Sequence, residues 1–439
     1  MNAFLMMKRN PVPLLLLLAV ALSLYTHSMV WKEFTMPTYG NTFIHVASIR
    51  HMLEHASYPV IDYSYGGGIP NLYVPFYRLF IANSVLLTGL SIDFISRLAV
   101  MLFAILVPLG FFAVTKRLFG LNAGIAAAFL ASFPGELLIY TVRPLPQSLG
   151  MVLLPVAFLA IFSEKWRPAL LITFGIAMVH QEAIAFLVGA VGVYAAVAFL
   201  FYLIGEAKNI RVGTARMMTS SALSELKIAR LAVVVAILGL ASYVLWHYFV
   251  MNSFNIFDIA QFKYHEGGLV TVDSFLTKTG IIVTVFSLLG LTFVGYRLLE
   301  LVASQSHRFR SLSNEVQFGL RNSALFLVVA LATYFHFNNY SMASVSLQSL
   351  GSAIVLGLMI VIFVAFISHT PTFMQLPNSS FLFTFAVFGA GVAAVKNDVV
   401  GIRVFMDRFL VHLQEPLIIL AALGVAAVYE FFEAIRERP

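Results

Sequence analysis

Several short stretches of this chain carry residue types able to do chemistry. His180-Gln181-Glu182 sets an imidazole and a carboxylate inside an otherwise apolar run from Ala169 to Leu203. Ionisable groups at such depth are costly in hydrocarbon, which makes them candidates for a site. Their plainer role is the tight polar turn between two apolar helices. Arg143-Pro-Leu-Pro-Gln147 offers a guanidinium suited to paired hydrogen bonds with a phosphate. The same arginine could equally reach from a helix end to the membrane surface. Arg403 and Arg408, ahead of the final apolar run, pose the same choice, with the surface role favoured. His51-Met-Leu-Glu54-His55 fits the H-x-x-E-H pattern, in which one helical face presents two imidazoles to zinc. The long helix, further ligand and surrounding sheet which that chemistry needs are not visible in the sequence. The polar face of an amphipathic helix explains the stretch as well. Asn339-Tyr-Ser341 and Asn378-Ser-Ser380 match the glycosylation acceptor pattern, which recurs by chance and carries no weight.

These groups sit in a chain built for lipid. Of 439 residues, 60% are hydrophobic and 11% charged, and the mean hydropathy is +0.91, too little polar surface to cover a water-soluble globule. Apolar runs of about 20 residues, enough to span about 30 Å of hydrocarbon as helix, recur from end to end. The alternating pattern of a membrane barrel is missing, so the expected fold class is all-α, a polytopic bundle of transmembrane helices. Spans are expected near 11–31, 97–115, 121–140, 149–163, 168–182, 183–204, 231–250, 280–299, 323–338, 347–368, 381–395 and 413–432. The first follows Lys8 and Arg9 and could be a signal peptide; its length and the lack of a small-residue cleavage site favour a retained anchor. With both ends in the cytoplasm, most of the 27 Lys and Arg but a minority of the 20 acids fall inside. The net charge of +7 is then a topology signal, and nucleic acid is not an expected partner. The chain has no cysteine, hence no disulfide and no thiolate metal site.

The anomaly is residues 32–96. The apolar stretch 73–90 contains Arg78 and Asn83, and a crossing there would put Lys116-Arg117 and the 164–167 cluster outside. It reads instead as an interfacial or re-entrant helix, leaving a long first outer loop of the kind that carries function. Within it, Thr42 to Ala56 reads as a short amphipathic helix ended by Tyr58-Pro59, and Gly66-Gly67-Gly68 marks irregular backbone. Two basic cytoplasmic segments, 205–230 and 303–322, separate groups of helices. Residues 1–439 are expected to form one membrane domain, with no soluble domain after the last span.

The loop also carries a resemblance. Tyr39-Gly40-Asn41-Thr42-Phe43-Ile44-His45, Pro59-Val-Ile-Asp62 and Gly67-Gly68-Ile-Pro70 with Tyr73 and Pro75 resemble the first outer loop of GT-C glycosyltransferases. The nearest likeness is to prokaryotic, often archaeal, membrane proteins labelled 6-pyruvoyl-tetrahydropterin synthase-related. It continues through Lys116-Arg117-Leu-Phe-Gly120 and Arg143-Pro-Leu-Pro-Gln147 and covers the first 200 residues or so, each motif being short and their order making the case. The resemblance implies transfer of a sugar from a polyprenyl-phosphate donor to a glycan, lipid or protein acceptor. The place it implies is the outer face of the plasma membrane, in a multi-pass protein surrounded by membrane lipid. It also implies an early-loop acid as base or acceptor guide and, in some branches, a divalent metal such as Mg or Mn.

Here the family's first acid is replaced by Asn41 and the acid after the Arg-Pro motif by Gln147, and an amide is neither a base nor a strong metal ligand. Asp62 is then the expected catalytic acid, with Glu54 a further candidate beside Asn41. Tyr39, Arg143, Gln147, Arg403 and Arg408 are the expected substrate or phosphate contacts, and His45, His180 and Glu182 the expected metal ligands. Two other functions stay open: a catalytically silent relative that holds a lipid-linked glycan or a partner subunit, and a secondary transporter.

Overall fold

Leucine-rich sequence from Val12 onward has no polar face to show water, and it forms the first of a series of long helices in the computed structural model. The structure describes residues 10–33, 40–62, 69–71, 73–133, 135–212, 220–246, 248, 277–304, 312–313, 316–317, 376–397 and 406–436. In chain order the elements are α1 Val12–Glu33, α2 Gly40–His55, β1 Ile61–Asp62, β2 Ile69–Pro70, α3 Phe76–Thr88, α4 Ile92–Phe119, α5 Leu121–Leu130 and α6 Glu136–Thr141. There follow α7 Pro146–Phe162, α8 Trp166–Val179, α9 Gln181–Val212, α10 Ser220–Leu245, α11 Ile281–Ser304, α12 Asn378–Val395 and α13 Met406–Arg436. Among the described residues the fold is all-α apart from an antiparallel ribbon of two-residue strands pairing Ile61 with Pro70 and Asp62 with Ile69.

Among the described residues, seven helices (α1, α4 and α9 to α13) are long and apolar enough to cross a membrane. The expected spans 323–338 and 347–368 lie outside the described residues. Other expected spans are recast. The run 121–140 breaks after Leu130, where Ser132-Phe133-Pro134-Gly135 stops one helix and a short second one starts. α7 and α8 have 17 and 14 residues. At 1.5 Å per residue α8 is about 21 Å long, short of a full crossing. The expected loop helix appears as α2, and 73–90 contains α3, whose 13 residues make about 20 Å. That length suits a helix lying at or dipping into the surface.

Packing joins these elements into one bundle: α9 lies on α10 and α12, α13 on α11, α12 and α5, and α4 on α1, α5 and α7. Phe383 of α12 is the aromatic centre, edge-on to Phe158 at 5.5 Å and Tyr194 at 5.4 Å, with Phe162 at 5.6 Å. Where α11 crosses α13, a methyl on Gly290 would strike the Leu420 carbonyl, and one on Gly424 the Phe286 carbonyl. Only glycine lets these backbones approach so closely, the usual way in which helices gain contact in lipid. Polar clasps hold the chain leading to the site: Ser132 Oγ donates to the Ala19 carbonyl at 3.0 Å, and His27 Nε2 meets Thr141 Oγ1 at 3.0 Å.

Candidate functional site

One end of the bundle holds a cleft lined by His45, Tyr73, Tyr140, Leu145, Pro146, Gln147, His180, Gln181, Glu182 and Arg408. Local sequence explains how each wall is built. Pro146 opens α7, where a missing N–H costs nothing. Ser148 Oγ donates to the carbonyls of Tyr140 and Arg143 at 2.6 and 2.7 Å, stitching the α6–α7 turn and fixing Gln147 beside it. His180 is the single extended residue (φ −156°, ψ 128°) between α8 and α9, so the chain bends there and presents His180 and Glu182 together. Gly150 permits this, since a methyl there would come within 2.9 Å of Ala183 Cβ and 3.4 Å of His180 Cβ. Arg408 enters from the first turn of α13.

The polar groups are tied to one another. Gln147 Nε2 donates to Glu182 Oε2 at 3.1 Å, and Arg408 Nη1 reaches Glu182 Oε1 at 3.4 Å. Glu182 is buried while Arg408 is half-exposed, so the ion pair closes the cleft from its rim. Behind His45 and Tyr73 of the cleft wall stands a residue that as sequence argued only against a crossing. Arg78 of α3 is fully buried. Its Nε donates to His45 Nδ1 at 3.0 Å, and its Nη1 to Asn71 Oδ1 at 3.0 Å and Tyr58 Oη at 3.2 Å. Tyr73 adds its ring face, 5.0 Å from the guanidinium carbon. Because Nδ1 of His45 accepts, the ring proton sits on Nε2. Burial first, then Arg78 and His180, hold this imidazole well below its ordinary pKa, so His45 is a neutral donor.

Placement of the expected residues is therefore mixed. His45, Gln147, His180, Glu182 and Arg408 line the cleft. Arg143 is not in its wall; it is half-buried, with its guanidinium 5.1 Å from the centre of the Tyr140 ring. Glu54 is exposed on α2, and His51 and His55 stack at 4.4 Å, which fits the amphipathic-helix reading of that stretch. Asp62 and Asn41 have described backbone, on β1 and in the first turn of α2, but their side chains lie outside the described residues, as do Tyr39 and Arg403. The Nδ1 lone pair of His45 already accepts from the Arg78 guanidinium. Among the described residues, the group that could hold a metal ion is His180, Glu182 and His412. Sequence reading missed His412 and Arg78. His412 sits in a long apolar helix, where only its polarity among Leu, Val and Phe could have marked it.

No family model and no curated protein matches the chain. Among solved structures it is similar to the oligosaccharyltransferase of Archaeoglobus fulgidus in complex with Zn and sulfate, at 12% identity and a TM-score of 0.46, over 96% of this chain and 50% of that one. It is similar also to archaeal oligosaccharyltransferase AglB from Archaeoglobus fulgidus, in complex with an inhibitory peptide and a dolichol-phosphate, at 13% identity and a TM-score of 0.47, covering 98% and 52%. The apo form of the Archaeoglobus fulgidus enzyme gives 13% and 0.43, covering 97% and 58%. The chain thus spans about half the length of these proteins.

Proposed function

We propose that this chain is a membrane-embedded glycosyltransferase, of GT-C type, that moves a sugar from a polyprenyl-phosphate donor to an acceptor at the outer face of the membrane. The observation that supports it is the convergence on one cleft of Gln147, Glu182 and Arg408, each in the first turn of its helix, with the neutral donor His45. Three helix N-termini add their positive ends to the Arg408 guanidinium, a field that favours the phosphate of a lipid-borne donor. In the reaction the acceptor oxygen bonds to the sugar's anomeric carbon as the carbon–oxygen bond to phosphate breaks. The phosphate leaves with the bonding pair, stabilised by Arg408 and His45 Nε2–H. The acceptor proton passes to a carboxylate, for which Asp62 is the proposed base. Its ribbon leads through Asn71 to Tyr73 in the cleft wall.

The binding reading, a silent relative that holds the lipid without transferring, is favoured by Gln147, an amide held against Glu182 where the family has an acid. Native mass spectrometry of gently extracted protein, followed by transfer assays, separates the readings. The expected result is a co-purified polyprenyl phosphate that is weakened in Arg408→Ala, and transfer that falls by about 10²–10⁴ in Asp62→Asn. Lipid without transfer would leave the binding reading. Neither lipid nor transfer, with ordinary phospholipids retained, would sink both.

A further inference from the structure

His180 at the end of α8, Glu182 at the start of α9 and His412 near the start of α13 meet behind the cleft with too few hydrogen bonds to account for them. All three are buried, and each offers a ligand atom within 4.8 Å of those of the other two. Nδ1 of His180 and both ring nitrogens of His412 have no hydrogen-bond partner. Buried polar groups are nearly always paired, because leaving one unpaired forfeits its hydration with nothing in return. Packing does not explain His412. It stacks on Phe186 at 5.4 Å and lies 6.0 Å from Phe409, contacts that a phenylalanine would make without the polar cost.

We propose that His180, Glu182 and His412 bind one divalent cation of the zinc class, with a coordination position left open to the cleft for an oxygen of a phosphate-bearing ligand. Two imidazoles and a carboxylate are a donor set that zinc accepts readily, whereas Mg and Mn prefer all-oxygen shells. Zinc ligands at tetrahedral geometry lie about 3.4 Å apart, so loading draws the three groups together by an ångström or so. Three protein ligands leave a fourth position, and His180 and Glu182 themselves line the cleft, so that position is reachable from it. Gln147 already orients the carboxylate from outside. Arg408 shares the other carboxylate oxygen and competes with the ion for it, so its charge tunes the affinity. The site deepens the reading of the same cleft, yet it can be tested without turnover.

The experiment uses the full chain in detergent, stripped with a chelator and titrated with Zn²⁺, Mg²⁺ and Co²⁺ while bound metal is counted by elemental mass spectrometry. One zinc per chain is expected, not displaced by equal Mg²⁺, with Co²⁺ giving the visible absorption of a four-coordinate nitrogen–oxygen site. His412→Ala should weaken zinc by at least about 10–100-fold, the loss typical of altering even an outer hydrogen-bond partner of a ligand. His45→Ala should retain zinc, and Arg408→Gln should bind it more tightly. The last result guards against a His412→Ala protein that merely misfolds, since a tighter site cannot arise from damage. Unmodified protein that takes up no zinc, prefers Mg²⁺, or yields a His412→Ala variant of equal affinity would overturn the proposal. Zinc bound without sugar transfer leaves the site standing and counts against the transferase; transfer by zinc-free protein does the reverse.

Discussion

Arg78 shows how much one side chain can organise. A guanidinium with no solvent contact is retained because three neutral acceptors, on His45, Asn71 and Tyr58, share its charge. The arrangement works in both directions: the arginine is made tolerable, and His45 is locked with its proton on Nε2, at the nitrogen left to serve the cleft. Arg78→Met takes from His45 Nδ1 its donor and one hydrogen bond each from Asn71 and Tyr58, which keep contacts to Tyr73, and a buried group left unpaired costs roughly 1–3 kcal/mol. A clear fall in the thermal unfolding temperature is expected, only partly relieved in Arg78→Lys, because an ammonium cannot reproduce the planar fork. An Arg78→Met protein as stable as the parent would show that the network does not hold the loop in place.

Among elements, the decisive contact is the crossing of α11 and α13, since α13 carries both Arg408 and His412 to the cleft end. Gly290 and Gly424 allow that crossing, and no side chain could share the space with the facing carbonyls. Gly290→Ala forces the helices apart and should destabilise the bundle by about 1–3 kcal/mol, the usual cost of overpacking. Gly189→Ala is the control: no atom beyond the adjoining backbone of its own helix lies within 4 Å of the added methyl, so the gain in helix propensity, about 1 kcal/mol, is all that remains. Chemical or thermal denaturation of the two variants in one detergent makes the comparison. Equal stability of the pair would remove the close-approach argument.

The whole molecule poses the question of sidedness. A helix about 20 Å long cannot cross about 30 Å of hydrocarbon, so the ends of α3 are expected on one side of the membrane. The chain contains no cysteine, which makes single-cysteine labelling clean. Ser57→Cys and Ser91→Cys, exposed on either side of α3, should both react with an impermeant maleimide from outside intact cells. Lys165→Cys, in the α7–α8 turn, should react only after the cells are opened. Opposite behaviour of positions 57 and 91 would mean that α3 crosses, and would move the cleft to the other face relative to the basic segments.

Hydropathy, charge placement and helix-stopping residues act over a few turns of chain, and for that reason the amino-acid sequence already carries the helical membrane class, the position of α2, and the polar islands at Gln147, His180 and Glu182. It misleads between 121 and 140 because the run stays apolar through the break after Leu130, and a hydropathy window averages over that break. Pairing across the bundle is visible only once the helices are packed. No window of sequence contains both Glu182 and Arg408, or His180 and His412, and no composition shows that Arg78 turns inward to His45 instead of outward to headgroups. Those outcomes depend on which helices pack side by side, and that is fixed by the fit of whole helical faces, by Gly290 against Leu420 as much as by any residue of the site itself.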